Sequence, residues 1–340
     1  MTPANWSSER LLGNDSNPGM KVLVTGSSGF IGQALVQRLK AEGWSALGLD
    51  KRPGPHTDFV CDILDADQLN RVVSECAPDA VVHLAARIDI DESADVSAYP
   101  ANVEGVRNVL EAVRNTPSIK RAIWTSSQLV CRVDHLPTGP TDYNPDSSYG
   151  RSKVLTEQIV REHDGGGKEW CLVRPTTVWG PGMSAHYQRF LRMVQRGYYF
   201  HVGGAPLLKS FSYVGNITYQ YLQLLRGDSD RVQRKVFYLA DYEPLDLVAW
   251  GDAFQQAFQA RPIPRMPVTL ARTLARVGDA AVALGIKQFP LTSRRLKNIL
   301  TQYQFDLKPT MEVCGPLPRT FEQAIKETVD WYNCMSKPAA

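Results

Sequence analysis

The sequence is short of several things that would place a protein quickly. Its six cysteines (Cys61, Cys76, Cys131, Cys171, Cys314 and Cys334) form no CxxC pair and share no metal-type spacing with histidine, so reduced thiols are expected and no metal site. Charge of one sign is also scarce. Against 35 acidic residues stand 38 basic ones, a net charge of +3 with no basic stripe, which argues against nucleic acid as a partner. No run of about 18 apolar residues occurs, so no spanning helix is expected. The N-terminus lacks the charged and apolar regions of a secretory signal. Together these absences point to a cytoplasmic protein.

What is present is ordinary for a globular chain: 43% hydrophobic, 21% charged and 9% aromatic over 340 residues. That length suggests one large domain and a smaller one. Residues 1–19 are polar and aperiodic and read as a disordered extension. From Met20 apolar runs alternate with amphipathic stretches. "KVLVTG", "SALGLD", "DAVVHLAA", "RAIWTSS" and "WCLVRPT" read as strands. Ile31 to Glu42, Ser97 to Asn115 and Ser148 to His163 read as helices. This alternation implies an α/β fold, a doubly wound parallel sheet of Rossmann type, over 20–180.

Beyond about Trp179 the rhythm breaks, and 181–335 reads as a mixed substrate lobe, some of whose strands could return to the main sheet. Its expected elements are helices near Tyr187 to Arg196, Val248 to Gln259 and Leu296 to Tyr303, and a strand at "KVFYLA". Thr320 and Gln323 form a capping-box pattern before the last helix. Leu270 to Ile286 reads as an amphipathic helix packed on the protein, with a membrane-surface role as the alternative.

The stretch "VLVTGSSGFIGQAL" carries the first chemistry. Gly26 suits a tight turn, Gly29 a close approach of backbone to pyrophosphate, and Gly32 close packing of helix on strand. The anion would sit at the N-terminus of the helix beginning near Phe30 and Ile31. Asp50 ends the next strand, 18 residues after Gly32. A carboxylate there accepts from ribose hydroxyls and repels a 2'-phosphate, favouring NAD over NADP, although Lys51 or Arg52 could pair such a phosphate.

In "SYGRSK", Tyr149 and Lys153 stand at i and i+4, on one helix face. That spacing suits a tyrosine acid/base whose pKa is lowered by an ammonium and a cationic nicotinamide. Equally, such a pair could be a solvated helix face. Ser127, in "TSSQ", could bond the same substrate oxygen.

With these motifs in view, the chain resembles the extended short-chain dehydrogenases/reductases, the NAD-dependent nucleotide-sugar epimerase/dehydratase family. The likeness runs from Lys21 to about Tyr332 and rests on "TGSSGFIG", "CDILD", "HLAA", "NVEGVRNVLEA" from Asn102, "TSSQLV", "YGRSK" and "VRPTTVWGPG". It implies NAD as cofactor and Ser127, Tyr149 and Lys153 as the catalytic residues. It further implies cofactor contacts from Asp62 and Ile63 at the adenine, from Leu84, Ala85 and Ala86 along the dinucleotide, from Asn102, and from Pro175 and Val178 near the nicotinamide.

The departures narrow the reaction. Dehydratases of the group carry an acidic pair where Gln128 and Leu129 stand here, so water elimination lacks its acid/base. Thr177 replaces a substrate-contacting asparagine. "KSFSYVGN" resembles an "R-D-F-x-Y-V-x-D" element, with Lys209 where a cation can meet a diphosphate.

The resemblance therefore implies a nucleotide-sugar epimerase or ketoreductase, associated with surface polysaccharide synthesis, acting on a nucleotide-diphosphate sugar held by Ser127, Gln128, Thr177 and Lys209. A homodimer is among the assemblies it allows. A hydroxysteroid-type dehydrogenase is the alternative, and a non-catalytic NAD-binding module a further one.

Overall fold

Short apolar runs become the strands of one parallel sheet, in a computed structural model that describes residues 19–89, 95–286, 289 and 291–336. The expected extension lies, but for Gly19, outside the described residues. The strands are β1 (Lys21–Thr25), β2 (Ser45–Asp50), β3 (Phe59–Val60), β4 (Ala80–His83), β5 (Arg121–Thr125), β6 (Glu169–Pro175) and β7 (Val236–Leu239). They lie in the order β7-β6-β5-β4-β1-β2-β3, every neighbouring pair parallel. The order reverses between β1 and β4, where doubly wound sheets open a crevice at the carboxyl ends of their strands.

Successive side chains of a strand point to opposite faces. Val22 and Val24 accordingly join one core, with Leu35 and Leu39 of helix α1 (Phe30–Ala41) and Leu222 and Leu225 of a later helix. Leu23 joins the other. There it packs with Leu69 of α2 (Ala66–Cys76), Val106 and Val113 of α3 (Pro100–Asn115), and Ile159 of α4 (Ser148–Glu162).

The later helices are α5 (Ala185–Gln195), α6 (Val214–Arg226), α7 (Leu247–Ala257), α8 (Val268–Ala283), α9 (Ser293–Leu300) and α10 (Phe321–Ser336). Strand Thr177–Trp179 pairs in parallel with Phe211–Tyr213. Trp179 anchors it, with ring centroids 5.3 Å from Tyr213, 5.8 Å from Trp250 and 5.9 Å from Phe254. The capping box forms: the Thr320 N–H donates to Gln323 Oε1 (3.0 Å) and the Gln323 N–H to Thr320 Oγ1 (3.3 Å).

Three expectations shift. A two-residue strand, β3, precedes the expected third strand. Helix α3 starts at Pro100 instead of Ser97, because proline at the first turn needs no N–H partner and a separate turn over Val96–Ala98 precedes it. Helix α9 spans Ser293–Leu300 instead of Leu296 to Tyr303, since Thr292 Oγ1 caps it by accepting from the Arg295 N–H. Tyr303 is thereby left in extended chain, bridged to Lys209.

Helix α4 is clasped to β6 by a buried ion pair. Arg174 donates from Nε to Glu157 Oε1 and from Nη2 to Oε2, each at 2.8 Å. The Tyr143 hydroxyl donates to the same carboxylate, and Arg174 also reaches the Tyr238 hydroxyl and the Pro140 carbonyl. Cys61, Cys76, Cys131, Cys171 and Cys314 are buried, and all six cysteines are free. Among the described residues no helix is long and apolar enough to cross a membrane.

Candidate active site

The glycine turn joins β1 to α1 at the point where the sheet order reverses. Gly26 has φ +78°, and a Cβ there would stand 2.7 Å from the Ala85 nitrogen. At Gly32 a Cβ would stand 2.1 Å from the Gly26 carbonyl oxygen. No larger residue fits either place. Gly29 is the N-cap of α1 and offers no side chain to the helix, whose first turn holds no acidic residue. The N–H groups of Phe30, Ile31 and Gly32 have no partner within the helix, which leaves them for an anion.

Asp50, buried at the end of β2, accepts from the Ser28 N–H (3.1 Å) and the Arg52 N–H (3.0 Å). The carboxylate is thus fixed beside the turn. This uncapped, close-walled cradle with a carboxylate at its edge fits a dinucleotide.

The segment Leu84, Ala85, Ala86 is set by Thr25, whose hydroxyl accepts from the N–H groups of Leu84 (3.2 Å) and Ala85 (3.3 Å). Asn102 lies behind that segment. Fully buried, its amide accepts from the Arg87 N–H and donates to the Arg87 carbonyl and to Ser152 Oγ. With both donors engaged and no exposed atom, it fixes the Arg87 backbone that follows the segment and offers no free donor to a cofactor.

Asp62 accepts from the Leu64 N–H. The Ile63 side chain is buried against Gly105 of α3, so it belongs to the core. Pro175 ends β6 opposite Leu239, and Val178 sits in the strand paired to Phe211–Tyr213.

The expected catalytic residues come from two elements. Ser127 follows β5, and its hydroxyl accepts from the Leu129 N–H (3.1 Å). Tyr149 and Lys153 lie one turn apart on α4, both buried, which removes the solvated-face alternative. The Tyr149 phenol is hydrogen-bonded to Ser127.

Its acidity is set by its protein surroundings. Burial pushes the phenol up to about 12, opposed by the Ser127 bond and reinforced by Tyr99, whose ring centroid is 6.3 Å away. Lys153 does not lower it, because its ammonium donates to the Thr125 carbonyl (2.9 Å). Burial also holds Lys153 down at about 8, with Glu157, one turn further along α4, pulling the other way. His83 is driven down to about 3 by burial and then by Lys153, and its Nδ1 lies 2.8 Å from the Thr25 hydroxyl. That imidazole is neutral at any working pH.

Beside Ser127 stands a polar wall that the sequence marks only in part. Gln128 and Thr177 were expected there. Tyr187 and Tyr303 join them, both bonded to the Thr177 hydroxyl, and the Gln128 Oε1 has no partner. Lys209 completes the group, its Nζ 5.2 Å from the Tyr303 ring centroid and bonded to the Asn298 carbonyl. It is buried, and among the described residues it has no carboxylate partner. Burial holds its ammonium down at about 8.

A doubly wound sheet, an anion cradle at its reversal point and a buried Ser-Tyr-Lys set define a dinucleotide-dependent oxidoreductase. The profile of the NAD dependent epimerase/dehydratase family matches residues 22–217, more than half the chain. The protein belongs to that family, and it is an NAD-dependent enzyme.

Among its relatives is the N-acetyl-alpha-D-glucosaminyl-diphospho-ditrans,octacis-undecaprenol 4-epimerase of Escherichia coli O157:H7. That protein is 26% identical over 91% of this chain and 94% of its own. A 3-beta-hydroxysteroid dehydrogenase of Mycolicibacterium neoaurum is 28% identical over 67% of each chain. Among solved structures, the Thermus thermophilus UDP-glucose 4-epimerase in complex with NAD superposes with a TM-score of 0.69. It has 21% identity and covers 92% of this chain and 99% of its own.

Proposed function

We propose that the protein is an epimerase that inverts a hydroxyl-bearing carbon of a sugar carried on a nucleoside diphosphate. Lys209 carries this reading: a buried ammonium with no carboxylate partner among the described residues, a few side chains from Ser127, is costly unless an anion completes it. A diphosphate supplies that anion, and the hydroxyl-rich wall of Gln128, Thr177, Tyr187 and Tyr303 suits a sugar.

Asp50 and Lys153 are the residues that would hold the cofactor's riboses, and the α1 N-terminus its pyrophosphate. NAD, when bound, supplies a reversible hydride acceptor and a cationic ring whose field favours the phenolate. Tyr149 takes the sugar hydroxyl's proton as the carbon gives up its hydride, and Ser127 holds the oxygen. With Lys209 anchoring the diphosphate, the keto sugar turns its other face to the same groups, and Tyr149 returns the proton. Gln128 and Leu129 offer no carboxylate for water elimination.

The test is a panel of UDP-, GDP-, CDP- and dTDP-sugars, with an undecaprenyl-diphosphate sugar in parallel because the E. coli relative is named for one. As-purified protein should interconvert two of them without added cofactor and without net NADH. A hydroxysteroid-type oxidation is the second reading, favoured by a cavity of about 230 Å³ lined by Phe190, Tyr199, Leu247 and Ile299. NADH accumulating in proportion to a sterol or sugar would replace the epimerase with that dehydrogenase.

Lys209 also sets a pH dependence. Its ammonium is present below about 8 and lost above it, so KM for a diphosphate sugar should rise through that pH while kcat changes less. Lys209→Arg keeps its charge and should move the rise to higher pH. An unmoved profile in that variant would take the diphosphate away from Lys209.

A further inference from the structure

Helix α8 is turned with its small residues inward. Ala271, Ala275 and Gly278 face the protein, and a Cβ at Gly278 would stand 2.0 Å from the Leu291 carbonyl oxygen. Leu270, Leu274 and Val277, spaced i, i+4, i+7 along one stripe, are 49%, 37% and 54% exposed. Leu284 and Ile286, just past the helix, are 86% and 53% exposed. Ordinary surface helices bury the large side chains and expose the small and polar ones. Here a contiguous apolar ridge is left outside.

The near-neutral total charge conceals an imbalance around this ridge. Residues 261–300 hold eight basic residues and one acidic residue, so the other 300 residues carry a net −4; of the eight, Lys297 is paired with Asp134 (2.8 Å) from outside the segment. The lone acid, Asp279, is engaged at the start of α9, where it accepts from the Ser293 N–H (3.0 Å). Arg272 and Arg276 are exposed on the other flank of α8, across the solvent side from the ridge.

We propose that α8 seats its apolar ridge in the surface of an anionic lipid bilayer, lying in the plane of the membrane with the basic segment over the headgroups. Charge complementarity selects this occupant. A second copy of the chain would bring two strongly cationic segments face to face, which like-charge repulsion opposes. The apolar ridge alone would accept either. The cavity of the substrate lobe adjoins this layer, since Leu291 both lines that cavity and packs beneath α8 with Ala271 and Ala275.

The full chain, without substrate, should float with vesicles of phosphatidylcholine and phosphatidylglycerol in equal parts and stay behind with phosphatidylcholine alone. Binding should weaken as salt is raised. Leu270→Ser/Leu274→Ser/Val277→Ser and Arg272→Glu/Arg276→Glu should each cut the bound fraction about tenfold or more. Because all five positions are exposed, their thermal unfolding should match the wild type. Equal partition onto neutral and anionic vesicles, or variants that bind as the wild type does, would overturn the proposal. So would a dimer in sedimentation velocity that the serine variant dissolves, which would give the ridge to a second copy. No turnover is measured, so this result and the epimerase reading stand or fall separately.

Discussion

Tyr149→Phe should lose turnover by a factor of about 10² to 10⁴, the range expected when a positioned proton-transfer group is removed. NAD affinity should hold. The ring remains packed in its place near Tyr99, so the geometry of α4 and of Lys153 is kept. Only the hydroxyl bonded to Ser127 disappears. Because burial, against the Ser127 bond, pushes that phenol up to about 12, the proposed proton abstraction at neutral pH depends on the charge that the oxidised cofactor brings. Single-turnover hydride transfer and equilibrium NAD binding, measured on the same variant, separate the two effects. A variant that retains a tenth of the activity would assign the proton to another group.

Arg174→Met should cost about 3–5 kcal/mol, because it leaves the Glu157 carboxylate buried and without its bidentate partner. Neither side chain is more than 1% exposed, so solvent cannot take the cation's place. The Tyr143 hydroxyl would remain as a donor to Glu157 and the Arg161 guanidinium would stay 3.9 Å from Oε2, but one neutral hydrogen bond and one partly exposed cation do not replace a bidentate buried pair. Arg174→Met/Glu157→Leu should recover most of the loss, since an apolar pair of similar volume has no charge to desolvate. The urea midpoints of the wild type, the single and the double variant provide the measure. A single variant within about 1 kcal/mol of the wild type, the worth of an ordinary surface ion pair, would show that the clasp between α4 and β6 is held by other contacts.

Much of the sheet and cofactor cradle was legible in the sequence because their signals are local. Gly26, Gly29 and Gly32 sit within one strand-turn-helix unit, and Tyr149 and Lys153 share one helix face. Thr320 and Gln323 needed only three residues of spacing to declare their mutual hydrogen bonds.

What stayed hidden depends on distance along the chain. Tyr303 reaches Thr177 across 126 residues, and its place is fixed by a bridge to Lys209 that no periodicity announces. Glu157 and Arg174 read as ordinary helix and strand residues until the fold brings them together. The place of the Lys153 ammonium is hidden for the same reason. A lysine at i+4 predicts proximity, but whether its ammonium faces the phenol or the Thr125 carbonyl is decided by β5. Thr292 is by contrast a local signal, three residues from the Arg295 N–H that it caps.

The place of β7 bears on how the chain folds as it is made. Residues 169–175 leave the ribosome more than 60 residues before the segment that pairs with them, Val236↔Leu172 to Leu239↔Pro175. During that interval β6 offers an open row of N–H and C=O groups, an invitation to foreign strands. Leu222 and Leu225 of α6, which cover the same core as Leu35 and Leu39, also arrive late. The half that carries the glycine turn and the tyrosine therefore completes neither its sheet edge nor its helical cover until the other half has emerged. Synthesis from the N-terminus gives no folding head start to the cofactor site, and a pause near residue 200 would expose a sticky intermediate when it is most in need of a chaperone.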